Sequence, residues 1–551
     1  MYFTMARSRF RAMHNHKSFI RLQPAIPLCL CGLLVALAGC LIGPRYNVPA
    51  PTEAGIEGVP AGYKENPANF KGGGGWKVAQ PSDAMLRGQW WRIFRDPELN
   101  ALEDSLEINN QNIKEYFQNF MEARALVGEA NSELYPTLTA SASYLRSFSG
   151  GSRGSSGGIT TSGAGTTAGA ASGVSSAVSS AAGLALSAAP MTSIMTSLNL
   201  SWEPDLWGRI RNEVRAAQYN AQISAADLET ERLTEESSLA VYFFELRGQD
   251  ALVKLYNDTI EAYKKALAYT KAQYSTGITD QIGVVEATNT LQNAEATAIN
   301  LGVLRAQYEH AIAVLVGKIP SNFAMGNKDL TATPPPVPIG LPSQLLERRP
   351  DVAASERAMA AANAQIGMAE AAYFPTVTLS GEGGFESSKF PNLFNYNNRS
   401  WSLGPSVSET IFDAGLRTAT VHQYIATYNS DLAAYRQSVL TAFQQVEDYL
   451  AQVRVLSRQL LVQRDAVKSA QEYVKLETGR YQTGIDPYVD VVTAETTLLT
   501  DQQSAIDVQT QEMTGAVQLI EALGGGWDKS QLPNPHQVAK WPSRSETAIQ
   551  Q

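Results

Sequence analysis

Cysteine is almost absent from this chain of 551 residues, and the three it has, Cys29, Cys31 and Cys40, all lie near the start. A disulfide framework or a cysteine-based zinc site in the remaining body is thereby excluded. Histidine is scarce too: His14 and His16 lie in the first 39 residues, His310, His422 and His536 lie far apart, and no HExxH motif occurs. Metal chemistry therefore has no ligand cluster to start from. Charged residues make up 18%, against about 25% in an ordinary soluble protein. Acid is missing altogether from the first 39 residues, which carry Arg7, Arg9, Arg11, Lys17 and Arg21; without them the formal net charge moves from -9 to -14. So acidic a body repels phosphate backbones, and nucleic acid is not an expected partner. No Ser-His-Asp or GxSxG constellation stands out. Val316-Gly317-Lys318 lacks the rest of a P-loop, and the run Gly72 to Gly75 precedes no strand-helix unit.

The apolar run from Ile26 to Ala38 is too short to cross a bilayer as a helix but suits the h-region of a signal peptide. It ends in Leu37-Ala38-Gly39-Cys40, and small residues just before a cysteine resemble a lipobox. Residues 1–39 are then a lipoprotein signal peptide, and Cys40 is the lipid-carrying N-terminus, with covalent acyl chains as the chain's one attached group. Leu41, rather than Asp, follows Cys40, which by resemblance to bacterial lipoproteins favours the outer membrane. The competing reading is a short buried segment with an incidental cysteine; charge, length and terminal residues favour the peptide.

The chain repeats itself. Tyr274-Ser275-Thr276-Gly277-Ile278 matches Tyr481-Gln482-Thr483-Gly484-Ile485 at an offset of 207, which also carries Val284-Val285 onto Val491-Val492. Upstream, Tyr135-Pro136-Thr137 matches Phe374-Pro375-Thr376 at an offset of 239. The difference falls mainly in 147–190, a stretch of Ser, Gly, Ala and Thr that reads as a flexible loop insertion. The expected order is an extended lipid-anchored segment (40–97), a first repeat (98–330), a Pro-rich linker (331–350), a second repeat (351–527) and a mobile polar tail (528–551).

Each repeat opens with a helical pattern (98–134, 351–373), continues through two strand patterns, and ends in a very long helix (209–273, 415–480), a Gly turn and a return helix (281–316, 488–523). Tyr428, Leu432, Tyr435, Val439, Ala442, Val446, Tyr449, Val453, Leu456 and Leu460 alternate spacings of four and three, a coiled-coil stripe. In the first repeat Leu228, Leu239, Tyr242, Leu246 and Val253 continue it with polar interruptions. A 65-residue helix is roughly 100 Å long, and the shorter helices cover about half of that each. One long rod beside two half-length rods placed end to end is the economical packing.

The strands alternate. Ile194, Thr196, Leu198, Leu200 and Trp202 share one face against Ser193, Ser197, Asn199 and Ser201; Val377 and Leu379 oppose Thr376, Thr378 and Ser380; Trp401, Leu403 and Val407 oppose Ser402, Ser406 and Ser408. An apolar outside and polar inside fit a membrane barrel, although a soluble sheet with one wet face shares the pattern. Four strands per chain cannot close a barrel, whose smallest examples have about eight, and open edges are not tolerated in lipid. Chains must pool strands, and three copies, with twelve, leave a passage. The expected class is mainly α with a small β part: repeated coiled-coil helices forming a trimeric α-barrel, plus four strands per chain in a transmembrane 12-stranded β-barrel.

Specific motifs then carry a family resemblance along nearly the whole mature chain. They are Gly43-Pro44-Arg45-Tyr46-Asn47-Val48-Pro49, Trp90-Trp91-Arg92-Ile93-Phe94-Arg95-Asp96-Pro97-Glu98-Leu99, Leu346-Glu347-Arg348-Arg349-Pro350-Asp351, Ala372-Tyr373-Phe374-Pro375-Thr376 and Ile411-Phe412-Asp413-Ala414-Gly415. Together they resemble the TolC-like outer membrane factors, specifically the lipoprotein (NodT-type) subunits of tripartite efflux systems. The resemblance implies a homotrimeric channel in the outer membrane that extends through the periplasm and performs no covalent chemistry. A periplasmic adaptor (membrane fusion) protein and an inner-membrane pump are its implied partners, and small toxic molecules its implied cargo. Type I protein secretion uses the same fold and is the alternative; a structural coiled-coil protein is a third reading. By the same resemblance Tyr481, Asp486 and Asp490 belong to the periplasmic aperture. Thr493 stands where some members have a further Asp, so the second acidic ring is in doubt. Asp486 and Asp490 also suit a helix N-terminus on dipole grounds alone. The adaptor would grip Thr276, Gly277, Ile278, Thr483, Gly484 and Ile485. Trp90-Trp91 reads as a packing anchor rather than a ligand platform.

Overall fold

The computed structural model describes residues 41–49, 62–65, 88–148, 190–277, 280–330, 334–335 and 347–540. Leu37, Ala38, Gly39 and Cys40, most of the Ser/Gly loop, most of the Pro-rich linker and Ile278 lie outside the described residues. The chain forms two compact units, one helical and one of strands.

In the helical unit a short 3-10 turn, Trp90–Phe94, precedes eight helices among the described residues. They are α1 (Pro97–Asn109), α2 (Gln111–Ser132), α3 (Arg209–Ser275), α4 (Gln281–Leu315), α5 (Pro350–Ala371), α6 (Leu416–Gln482), α7 (Tyr488–Ala522) and the single-turn α8 (Pro535–Ala539). The Asp-Pro-Glu-Leu sequence starts α1 for a local reason. The Asp96 carboxylate accepts from the backbone N–H groups of Glu98 and Leu99, and Pro97 occupies a first-turn position with no N–H to satisfy.

The leading pattern of the first repeat is two helices, not one. Asn110 ends α1 and caps α2, its side-chain oxygen accepting from Ile113 N at 3.0 Å. Its amide nitrogen donates to Glu235 at 2.9 Å and to the Leu315 carbonyl at 3.1 Å. Asn110 is 3% exposed, so one side chain joins the break to α3 and to the last carbonyls of α4. The half-length helices thus meet end to end along α3. The α2 half packs through Val127 and Ala130 against Ala221, Ile210 and Val214. The α4 half packs through Ala287 and Ala294 near Leu267 and Tyr263.

The second repeat buries most of its heptad stripe: Tyr435, Val439, Ala442, Val446, Val453, Leu456 and Leu460 are buried, while Tyr428, Leu432 and Tyr449 are half-buried and Leu450 is buried beside Tyr449. In the first repeat Leu228, Leu239 and Leu246 are buried as expected, but Phe243 and Phe244 are buried too. The reason is that α3 packs against α2, α4, α5 and α7, so more than one of its faces is covered. Trp90 and Trp91 are 1% and 0% exposed and meet edge to face at 5.9 Å. Phe94 continues the stack to Phe244 at 5.0 Å. The pair is a packing anchor.

Part of the tail departs from the expectation of mobility. The Asn534 side chain and Gln537 form a reciprocal capping box, Val538 is 1% exposed against Val127 and Ala221, and Lys529 pairs with Glu356 at 3.2 Å. A box plus one buried aliphatic residue suffices to seat this short stretch. No described helix is long and apolar enough to cross a membrane.

The strand unit is one antiparallel sheet in the order β1 (Thr137–Ser147), β2 (Met191–Trp202), β3 (Thr376–Ser387), β4 (Arg399–Ser408). The hairpins pair Thr137 with Ser201 and Thr376 with Ser408. The repeats join through β2 and β3, where Ile194 opposes Ser387 and Trp202 opposes Leu379. The register puts the apolar side chains on one face, Leu138 beside Leu200 and Leu403 opposite Gly381. Leu138, Leu198, Leu200, Trp401, Leu403 and Val407 are exposed in the protomer, Leu403 at 78%, whereas Ile194 on the same face is buried. In sheet order β1 and β4 are the two outer strands.

Candidate functional site

The 207-residue repeat places two helical hairpin tips in the helical unit, α3–α4 and α6–α7. Each long helix ends at a glycine of positive φ, Gly277 at +74° and Gly484 at +75°, where a side chain would be strained. The preceding threonines act alike. Thr276 donates to the Ala272 and Gln273 carbonyls, and Thr483 to those of Gly479 and Arg480, so carbonyls freed by the helix end are satisfied. Asp280 then caps α4 by accepting from Gly283 N at 3.2 Å.

The two tips are tied by tyrosine. Tyr481, in the last turn of α6, lies 5.3 Å from the Tyr488 ring on α7 and 6.1 Å from Tyr269 on α3. Its hydroxyl donates to the Gln273 side chain of α3. Tyr488 is 7% exposed within a cluster of Leu267, Ala287 and Val491. Burial, and next the charge of Glu495, push its phenol well above the ordinary range.

Beside this link sits a charged group. Arg480 pairs with Asp486 across the turn, one contact being NH2 to Oδ1 at 2.9 Å. The Arg480 hydrogen bond holds the Asp486 carboxyl below its ordinary value. Glu477, one helical turn before Arg480, adds a third carboxylate to Asp486 and Asp490, their oxygens all within 4.8 Å of one another. Desolvation and then the Asp486 charge push Glu477 up. Asp490 also lies in the first turn of α7, so its helix-dipole role and its place in the cluster coexist.

Glu477 and Arg480 are the tip residues that sequence reasoning missed. Their spacing of three before a Gly turn was the available signal. The tips also expose apolar side chains, Ile282, Val285, Ile485 and Val489. Because the Arg480 side of the pair is exposed, Asp486→Ala should move the thermal midpoint by no more than about 2 °C, a solvent-screened pair contributing about 0–1 kcal/mol. Amide exchange across 483–490 should nevertheless quicken. Exchange unchanged there would show that the pair does not hold the turn.

The geometry is that of two helical hairpin ends linked side by side through Tyr481. A family model of outer membrane efflux proteins matches residues 102–318 and 341–525. The toluene efflux pump outer membrane protein TtgC of Pseudomonas putida is 28% identical over 496 residues, covering 89% of this chain and 93% of that one. The cation efflux system protein CusC of Escherichia coli is 25% identical over 507 residues, covering 92% and 99%. Among solved structures, the outer-membrane channel OprN superposes with a TM-score of 0.74 at 25% identity, covering 89% of this chain and all of that one. The chain belongs to the outer membrane efflux protein family, the TolC-like channels.

Proposed function

We propose that this protein is the homotrimeric exit duct of a tripartite, RND-type efflux system. It is anchored in outer membrane lipid through Cys40 and works with a periplasmic adaptor and an inner-membrane pump to export small toxic molecules. One observation carries the reading: the chain supplies a four-stranded sheet with apolar side chains gathered on one face and two outer strands in need of neighbours. Lipid accepts no open edge, and three copies give twelve strands around a passage. In this reading Tyr481, Asp486 and Asp490 line the closed aperture, where three acidic clusters converge to favour cations. The threonine-glycine tips, with Ile278 and Ile485, receive the adaptor, and the exposed apolar residues beside them suit such a partner.

The test is a deletion strain. Loss of the gene should sensitise cells to at least one toxic compound, and the plasmid-borne chain should restore resistance. The purified protein should run as a trimer in mild detergent. Loss of a secreted protein from the medium, with drug sensitivity unchanged, would select type I secretion instead. A monomer recovered in the soluble fraction would end both readings.

A further inference from the structure

Among the described residues, the N-terminal segment meets the long helices at two places. Residues 42–46 meet α3 and α5. Asn212 donates to the Ile42 carbonyl at 2.9 Å, Asn363 to the Pro44 carbonyl at 2.9 Å, and the Tyr46 hydroxyl to Glu356 at 2.7 Å. Residues 63–65 meet α6. The backbone N–H groups of Lys64 and Glu65 donate to the two oxygens of the Glu447 carboxylate at 2.8 and 2.9 Å. The Glu65 carboxylate pairs with Arg454, both side chains more than four-fifths buried. Tyr63, 3% exposed, joins the main core. Consecutive N–H groups on one carboxylate fix the direction of the segment, and charge-assisted bonds are the stronger kind.

The position of this contact matters more than its strength. In the protomer the buried residues of α6 run from Tyr435 to Leu460, with Ala470 the only one beyond. Glu447 and Arg454 lie in the middle of that stretch. They are seven residues apart, on one face of the helix, each directly after a residue of the buried stripe, Val446 and Val453. The rest of α6 extends past this grip on both sides, and Tyr481 lies 27 residues beyond Arg454, about 40 Å at the helical rise. The arm toward the tip lies along α7 and is tied to α3 through Tyr481, so a change in the inclination of α6 at its centre is carried along that arm to the tip.

We propose that residues 63–65 form a clip that sets the resting inclination of α6, so that releasing the clip biases the distant Tyr481 tip toward opening. The clip acts by position: it touches no cargo. The proposal rests on the reading of the chain as a conduit.

Single-channel recording in lipid bilayers tests it, with charge reversal as the lever. Glu65→Arg and Arg454→Glu should each raise mean conductance about fivefold, the scale of a modest coupling between sites, while the double reversal, which restores the pair, should return it toward the wild-type value. A generally weakened fold would not be rescued by the swap. Tyr481→Ala/Asp486→Ala, which loosens the tip directly, serves as the open reference. If that reference conducts and all three clip variants match wild type, the clip is overturned and the conduit stands. If neither the reference nor the clip variants conduct, both fall. Should a reversal fail to insert, Glu447→Gln replaces it, and a conductance equal to wild type then overturns the clip.

Discussion

Glu236→Gln is expected to stabilise the protein at pH 8 by roughly 2–4 kcal/mol while leaving its stability near pH 4.5 almost unchanged. The reason lies under the tryptophan pair. Trp90 donates its indole N–H to Glu236 at 2.9 Å, and Glu236 is 4% exposed. Burial pushes its carboxyl up to about 8. Glu103 on α1 is 0% exposed, with no hydrogen-bond partner for either oxygen. Burial, then the charges of Glu236, Glu107 and Asp104, hold it well above the carboxylate range. Glu229 and Arg232 on α3 pair beside them.

Both carboxyls have folded values raised above their unfolded ones. The stabilising contribution of Glu236 is therefore complete below about pH 4.5 and is lost as pH climbs through about 8; that of Glu103 is likewise present at low pH and lost as pH rises. Gln keeps an acceptor for Trp90 and removes the ionisation. Thermal midpoints of both proteins in detergent, taken between pH 4.5 and 9, decide the matter. Parallel slopes would mean that Glu236 ionises at no cost in the folded state.

These carboxyls were invisible in the sequence, and the reason is general. Glu103 and Glu236 are 133 positions apart, each on a helix whose pattern has ample polar positions, and only the packing of α1 on α3 encloses them. What was legible was what repeats. The 207-residue offset located both glycine tips, and the seven-residue stripe named the buried face of α6. Strand alternation showed which side chains share the apolar face of the sheet. Local breaks were partly legible: Asn109-Asn110-Gln111 interrupts a good helical pattern with weak helix formers, and the Asn534-Pro535 pair announces a helix start. Neither signal says that the break will be buried or that the short helix will dock.

The tip shows the same division. Tyr481, Asp486 and Asp490 follow from motif position, and the structure brings all three to one hairpin end. Arg480 and Glu477 share a helix face by spacing, but they reach Asp486 and Asp490 because the turn folds the end of α6 back onto the start of α7. Likewise, the hold of residues 63–65 on Glu447 spans more than 380 positions, so no local pattern could reveal it. Composition and period specify which faces are buried. Which partner covers each face is a property of the fold.

The sheet offers a sharp contrast between neighbouring glycines, because Gly384→Ala should prevent assembly where Gly383→Ala does not. A Cβ on Gly384 would lie 2.2 Å from the Thr196 carbonyl oxygen and 2.9 Å from the Ser197 Cα, both backbone atoms of β2. A Cβ on Gly383 would meet nothing within 4 Å. Glycine within a strand often marks such a close backbone approach. The clash falls in the β2–β3 pairing, where Ser197 opposes Gly384, and that pairing is what joins the two repeats into one sheet. Relief requires the strands to part, which costs ladder hydrogen bonds and exposes polar backbone that lipid cannot satisfy. The expected result is near-complete loss of Gly384→Ala from the outer membrane fraction, with Gly383→Ala recovered at wild-type level as a trimer. Equal recovery of the two variants would show that β2 and β3 can move apart locally without cost to the assembly.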